Sequence, residues 1–286
     1  MADDLSQFSN PGPGYTSPER AVSGAHLGRK DAAITFPPNT SDTPNPAFLP
    51  EASADARPFP FWNWLDVVGF LVVLVTLVVI SALLAVGTGL TRWMGNGAAL
   101  VLAQGVGMGI SLALLSMWFN FRYDSKLREA FRLGPPQRVL FFGALGLGVA
   151  VVVSIFGRIL HLSELEVPMK DFIQTDLDLV IVGLGAVTFG PLFEEVIFRG
   201  FLQPLLARSL GITAGILLTS LLFALPHGTQ YGWHWQHLLA IACASSIFGY
   251  IRWRYDSTTA STLAHSTYNG LLVAAAFAQR LLNISP

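Results

Sequence analysis

The chain has 286 residues, 52% of them hydrophobic and 12% charged, with a mean hydropathy of +0.53. A charge content about half the ~25% of ordinary soluble proteins argues against a water-soluble globule, and the hydrophobic content excludes a wholly disordered chain. A formal net charge of -1 without a basic stripe speaks against nucleic-acid binding, and a single cysteine, Cys243, set in an apolar run, excludes a disulfide scaffold and zinc-finger spacings.

The first 60 residues hold ten of the 17 prolines and eleven charges. Such a segment cannot bury enough apolar surface to offset its ordering entropy, so residues 1–58 are expected to be a disordered, Pro-rich cytoplasmic tail. Its start, MADDLSQFSN, has neither the basic nor the apolar region of a secretory signal peptide.

Residues 59–286 are expected to form a transmembrane helical domain. Apolar runs of bilayer length fall near 63–87, 96–119, 139–160, 178–206, 211–228, 237–253 and 258–282. Without water to satisfy backbone groups they must be helices, which predicts an all-α, polytopic membrane helix bundle of about seven transmembrane helices. In the second run, Gly105 and Gly109 have the Gly-x-x-x-Gly spacing of a close helix approach. The basic run at 121–138 is expected on cytoplasmic headgroups, and Trp233, His234, Trp235 and His237 as an interfacial belt rather than a second metal site. With the N-terminus inside, Lys and Arg divide twelve inside to four outside, leaving out Arg199 within a span. Arginine exceeds lysine fourteen to three, which points to a GC-rich bacterial source and hence to a bacterial inner or plasma membrane.

Ionisable residues inside a membrane cost about 2.5–3.5 kcal/mol each at mid-span, so each needs a reason. The fourth run, in PLFEEVIFRGFLQP, carries Glu194, Glu195 and Arg199. Glu195 and Arg199 are four apart with the acid first, the favourable order for a helical ion pair. Glu194 points about 100° away and is left as a proton acceptor. The fifth run ends SLLFALPHG, placing Ser220, Phe223 and His227 on one face, and the seventh, in LAHSTYNG, places His265 and Asn269 on one face. A carboxyl, two imidazoles and an amide suffice to activate water and stabilise an oxyanion, and the same set can hold a divalent metal such as zinc. Metal candidates are Glu194, His227 and His265, while Ser220 has no base to make it a nucleophile. In an antiparallel hairpin turning at Ser209 to Gly211, Glu194 and His227 lie at similar depth. At ~1.5 Å per residue, His265 is expected ~12 Å nearer the cytoplasm.

The ordered set Glu194-Glu195-x-x-x-Arg199, Phe223-x-x-x-His227 and His265-x-x-x-Asn269 resembles the motif series of the CPBP intramembrane proteases, also called the Abi or CAAX amino-terminal protease family. The resemblance covers about 180–275, within an expected motif-bearing core of 178–282. It implies an intramembrane endopeptidase, of glutamate or metallo type, in which Glu194 and His227 activate water. His265 and Asn269 would stabilise the oxyanion or bind metal, with Glu195, Arg199 and Phe223 in support. The implied partners are a peptide or protein substrate at the membrane and the lipid bilayer, with no nucleic acid. A proton-coupled transporter using the same groups, and a non-catalytic scaffold or immunity protein, are the competing readings. The transporter is disfavoured because no paired, broken-helix repeat is visible, and the scaffold because every motif residue is present.

Overall fold

The computed structural model describes residues 58–135, 138–162, 168 and 172–282. The tail expected over 1–58 falls, up to residue 57, outside them. The described residues contain helices and no strand: α1 (Trp64–Gly87), α2 (Leu90–Met94), α3 (Asn96–Tyr123), α4 (Leu127–Ala130), α5 (Val139–Ile159), α6 (Asp176–Val187), α7 (Phe189–Glu195), α8 (Gln203–Leu210), α9 (Ile212–Ala224), α10 (Trp235–Tyr255) and α11 (Thr258–Leu281). Each of the seven apolar runs is helical. Trp64–Gly87, Asn96–Tyr123, Val139–Ile159 and Asp176–Leu210 are long and apolar enough to cross a membrane, and Ile212–His227 is apolar but shorter. The last two helices have the length, but their His, Ser, Thr and Arg content keeps them below that apolarity.

The fourth run was expected as one helix and is instead broken twice. Thr188, at φ -112° and ψ -92°, separates α6 from α7. Its hydroxyl donates back to the Leu184 carbonyl at 2.6 Å, and Pro191, lacking an N–H, cannot continue the hydrogen-bond ladder across the break. Beyond Glu195 the chain widens into a π-helical segment, Val196–Leu202, before Pro204 opens α8. Segments of this kind are rare and recur at functional sites.

Two apolar clusters hold the bundle. One gathers Trp62, Phe70, Phe119, Phe131 and Phe201 around the π segment. The other packs Phe142 and Val149 of α5 against Phe248 of α10 and Ala264 of α11. At the opposite end of the fourth run, Asp178 accepts from Thr175 within its own turn and from the Ala98 N–H at 2.8 Å, so one buried carboxylate caps both α6 and α3. The Gly-x-x-x-Gly expectation is corrected in part. A Cβ on Gly105 would lie 3.1 Å from the Phe189 ring, but one on Gly109 would meet open space. The tight approach of α3 to α1 is made by Gly107, whose added Cβ would lie 3.0 Å from the Val78 backbone.

Close packing also lies behind α11. A Cβ on Gly146 of α5 would fall on the Ala264 carbonyl and 2.9 Å from Thr267 Cβ, whereas one on Gly148 would meet nothing. Gly146→Ala should therefore cost about 1–3 kcal/mol through overpacking. Gly148→Ala should gain up to about 1 kcal/mol from helix propensity. Chemical unfolding in detergent micelles checks the pair, and equal effects would deny the contact.

Candidate active site

Four stretches of the chain bring the motif residues together. The end of α7 supplies Glu194 and Glu195, the π segment Arg199, the 3-10 turn Leu225–His227 at the end of α9 supplies His227, and α11 supplies His265 and Asn269.

Behind the cavity lies a closed ionic cluster. Glu195 and Arg199 have side chains without solvent exposure and pair at 2.9 Å. Arg199 also donates from Nη2 to the Ser245 carbonyl at 2.9 Å and hydroxyl at 2.6 Å, while its guanidinium lies 4.6 Å from the Phe223 ring centre. A desolvated cation–π contact of this kind contributes about 2 kcal/mol. The i,i+4 pairing expected from sequence is thus present, and Phe223 is the surface on which the cation rests.

The tautomers of both histidines follow from their partners. His265 Nδ1 lies 3.0 Å from Glu195 Oε1, and a carboxylate held by an arginine only accepts, so Nδ1 carries the hydrogen. His227 Nδ1 lies 3.0 Å from the Phe223 carbonyl and must likewise donate. In their neutral forms both rings therefore present a lone pair at Nε2. Those nitrogens face one residue: His227 Nε2 is 3.9 Å from Glu194 Oε1 and His265 Nε2 is 3.7 Å from Glu194 Oε2. Both separations exceed hydrogen-bond range, yet an atom off the line between them can sit ~2.8 Å from each end. The Glu194 side chain is 26% exposed and that of His265 only 5%, so the carboxylate opens towards solvent while the ring behind it is buried.

The expected depth mismatch of His265 is corrected by this geometry. That count took residue number along each run as depth, whereas both imidazole Nε2 atoms lie within 4 Å of the Glu194 carboxylate. His265 is also fixed laterally, stacked on Phe248 with ring centres 4.6 Å apart. Asn269 donates one amide hydrogen to the Ala186 carbonyl at 2.8 Å, a carbonyl in the last turn of α6 that the break leaves without a helical donor. Ser220 donates to the Ile216 carbonyl of its own helix.

Glu194, His227, His265 and Asn269 share a cavity of about 420 Å³ that continues along apolar side chains such as Val101, Val182 and Val273. Sequence reasoning missed Ser245, Phe248, Tyr231 and Tyr268, the last three of which also line the cavity. Their contacts join separate helices and leave no spacing to read. Tyr231, beyond the end of α9, stacks on His237 at 4.9 Å, and burial, followed by the nearby Glu194 charge, raises its phenol above the ordinary range. It therefore remains a donor at physiological pH. Trp233 and Trp235 are exposed. One carboxylate and two imidazoles are zinc-type donors by chemistry. As placed, however, no group of three or more His, Cys, Asp or Glu among the described residues is gathered to hold an ion.

The buried pair generates a stability prediction. Glu195→Gln strands Arg199 and should cost about 3–5 kcal/mol. Combining it with Arg199→Gln should recover part of that loss in thermal unfolding of the purified protein in detergent, whereas additive losses would contradict the pairing. Among known proteins, residues 176–271, about a third of the chain, match the family model for Rce1-like proteins, described as type II CAAX prenyl endopeptidase Rce1-like. No curated protein and no solved structure matches the chain. The matched segment holds all three motifs and the helices that bring them together, so over these residues this membrane chain is similar to the CAAX type of membrane protease.

Proposed function

We propose that the protein is an intramembrane endopeptidase that hydrolyses peptide bonds of membrane-associated substrates, CAAX-like peptides among them, by water activated between Glu194 and His227. The observation that carries this reading is the convergence of both imidazole Nε2 atoms on the Glu194 carboxylate at one end of the cavity. A water between Glu194 and His227 donates one hydrogen to each. Glu194 takes one proton as the water oxygen attacks the scissile carbonyl carbon, forming the tetrahedral oxyanion. The second amide hydrogen of Asn269 is available to that oxygen, as is Nε2–H of His265 when the ring carries its second proton. Glu194 then returns its proton to the leaving nitrogen as the C–N bond breaks, giving an amine and a carboxylic acid, whose remaining proton passes to His227 Nε2 and leaves a carboxylate.

The reading is tested with purified protein in liposomes, supplied with a farnesylated Cys-a-a-X reporter peptide and, separately, an unlipidated transmembrane peptide. Product mass in ¹⁸O-water should show one heavy oxygen in the new carboxyl group. Glu194→Gln should lower kcat about 10²–10⁴-fold, the usual scale of a lost general base. Asn269→Ala should cost about 10²–10³-fold, the scale of one oxyanion donor. Near-normal cleavage by Glu194→Gln would overturn the assignment.

The twelve-to-four Lys/Arg division supports a cytoplasmic N-terminus in a bacterial plasma membrane. After Cys243→Ala, a cysteine introduced at Ser53 should resist impermeant maleimide in intact cells and label after lysis. Labelling from outside would reverse the orientation.

A further inference from the structure

The segment before α1 reaches across the molecule to the back of the site. Trp62, 1% exposed, donates from Nε1 to the Phe201 carbonyl at 2.9 Å, spanning 139 residues of sequence. Two residues earlier, the Pro60 carbonyl accepts from Arg208 Nη1 at 2.7 Å. The chain from Phe59 to Trp62 is thus a hook tied to the π segment and to the helix after it. Phe201 sits on the π segment, where the Phe131 ring stacks on it at 5.2 Å and Trp62, Phe70 and Phe119 surround it.

The π segment therefore has two restraints. The Arg199 side chain is held by Glu195, Ser245 and Phe223, whereas Phe201, two residues on, is held by the aromatic hook. A π-helical turn is less favourable than the α-helix it interrupts and persists only where its surroundings over-determine it. Within it the register sets the direction of every side chain, and Glu194 and Glu195 immediately precede it. An aromatic ring can fill space in any register, but an indole N–H bonded to one backbone carbonyl cannot.

We infer that Trp62 is a positioning residue: its N–H bond to the Phe201 carbonyl holds the register of the π segment and, through it, the aim of Glu194 at His227 and His265. Trp62 is not among the residues lining the cavity, so any kinetic effect has to pass through the segment. The kinetic half of this inference rests on the hydrolase reading above, and the structural half does not.

Trp62→Phe keeps an aromatic ring and removes the donor, and 3-benzothienylalanine in place of Trp62 keeps the indole's volume as well, serving if the phenylalanine variant fails to fold. Phe70→Leu loosens the same cluster without touching the hydrogen bond and is the control. Hydrogen-exchange mass spectrometry in detergent should show amides of 196–206 exchanging at least about tenfold faster in the Trp62 variants, with distant helices unchanged. With the reporter peptides, kcat should fall about tenfold at constant KM per folded molecule, while Phe70→Leu lowers thermal stability and leaves kcat within about twofold. Unchanged exchange at 196–206, or a kcat loss shared equally by Phe70→Leu, overturns the inference. If wild-type protein cleaves no reporter, the hydrolase reading falls and the exchange comparison still decides the role of Trp62.

Discussion

The Glu195–Arg199 pair is the interaction from which the site is built. Neither side chain meets solvent, and each is held by a different neighbour, Glu195 by His265 of α11 and Arg199 by Ser245 of α10. Removing two charges from water is expensive, and their mutual attraction roughly offsets that cost rather than exceeding it. Its contribution is therefore specificity of arrangement: one acid on α7 ties together α7, the π segment, α10 and α11. Because Glu195 fixes the His265 tautomer, a structural carboxylate determines which nitrogen the neighbouring Glu194 faces.

Adjacent glutamates thus divide the work by about 100° of helix rotation. One is sealed among aromatic rings and a guanidinium, and the other opens into the cavity. Phe223 serves both, with the Arg199 guanidinium over its ring and a carbonyl that receives the His227 Nδ1 hydrogen. Phe223, read from sequence as a supporting motif residue, is thus the common wall between the ionic cluster and His227.

The helical runs were legible because bilayer length and backbone satisfaction leave little choice, and their limits fall within a few residues of the observed helices. The Glu195–Arg199 pair was legible because i,i+4 spacing is local. The π segment was not, since Val-Ile-Phe-Arg-Gly-Phe-Leu has no feature that separates it from an α-helix, and its register depends on Trp62 from far away in sequence. The depth of His265 was misjudged because residue number along a run does not report how α9 and α11 sit against the fourth run. Ser245 and Phe248 left no trace because their roles exist only once α10 lies against α11. Asn269 was found by its motif, but its tie to Ala186 became visible only with the break at Thr188.

The shortness of the apolar helix made by α9 and the 3-10 turn that ends it has a consequence for the surrounding lipid. From Ile212 to His227 the apolar helix is sixteen residues, which at ~1.5 Å each is ~24 Å, some 6 Å less than the ~30 Å of hydrocarbon in a typical bilayer. Hydrophobic mismatch of that size is relieved by local thinning of the membrane, at a fraction of a kcal/mol per ångström. Were this helix to cross the bilayer, thinning at its His227 end would draw headgroups and their hydration towards the cavity that Glu194 and His227 line. Shorter-chain lipids would then ease the deformation and longer-chain lipids resist it.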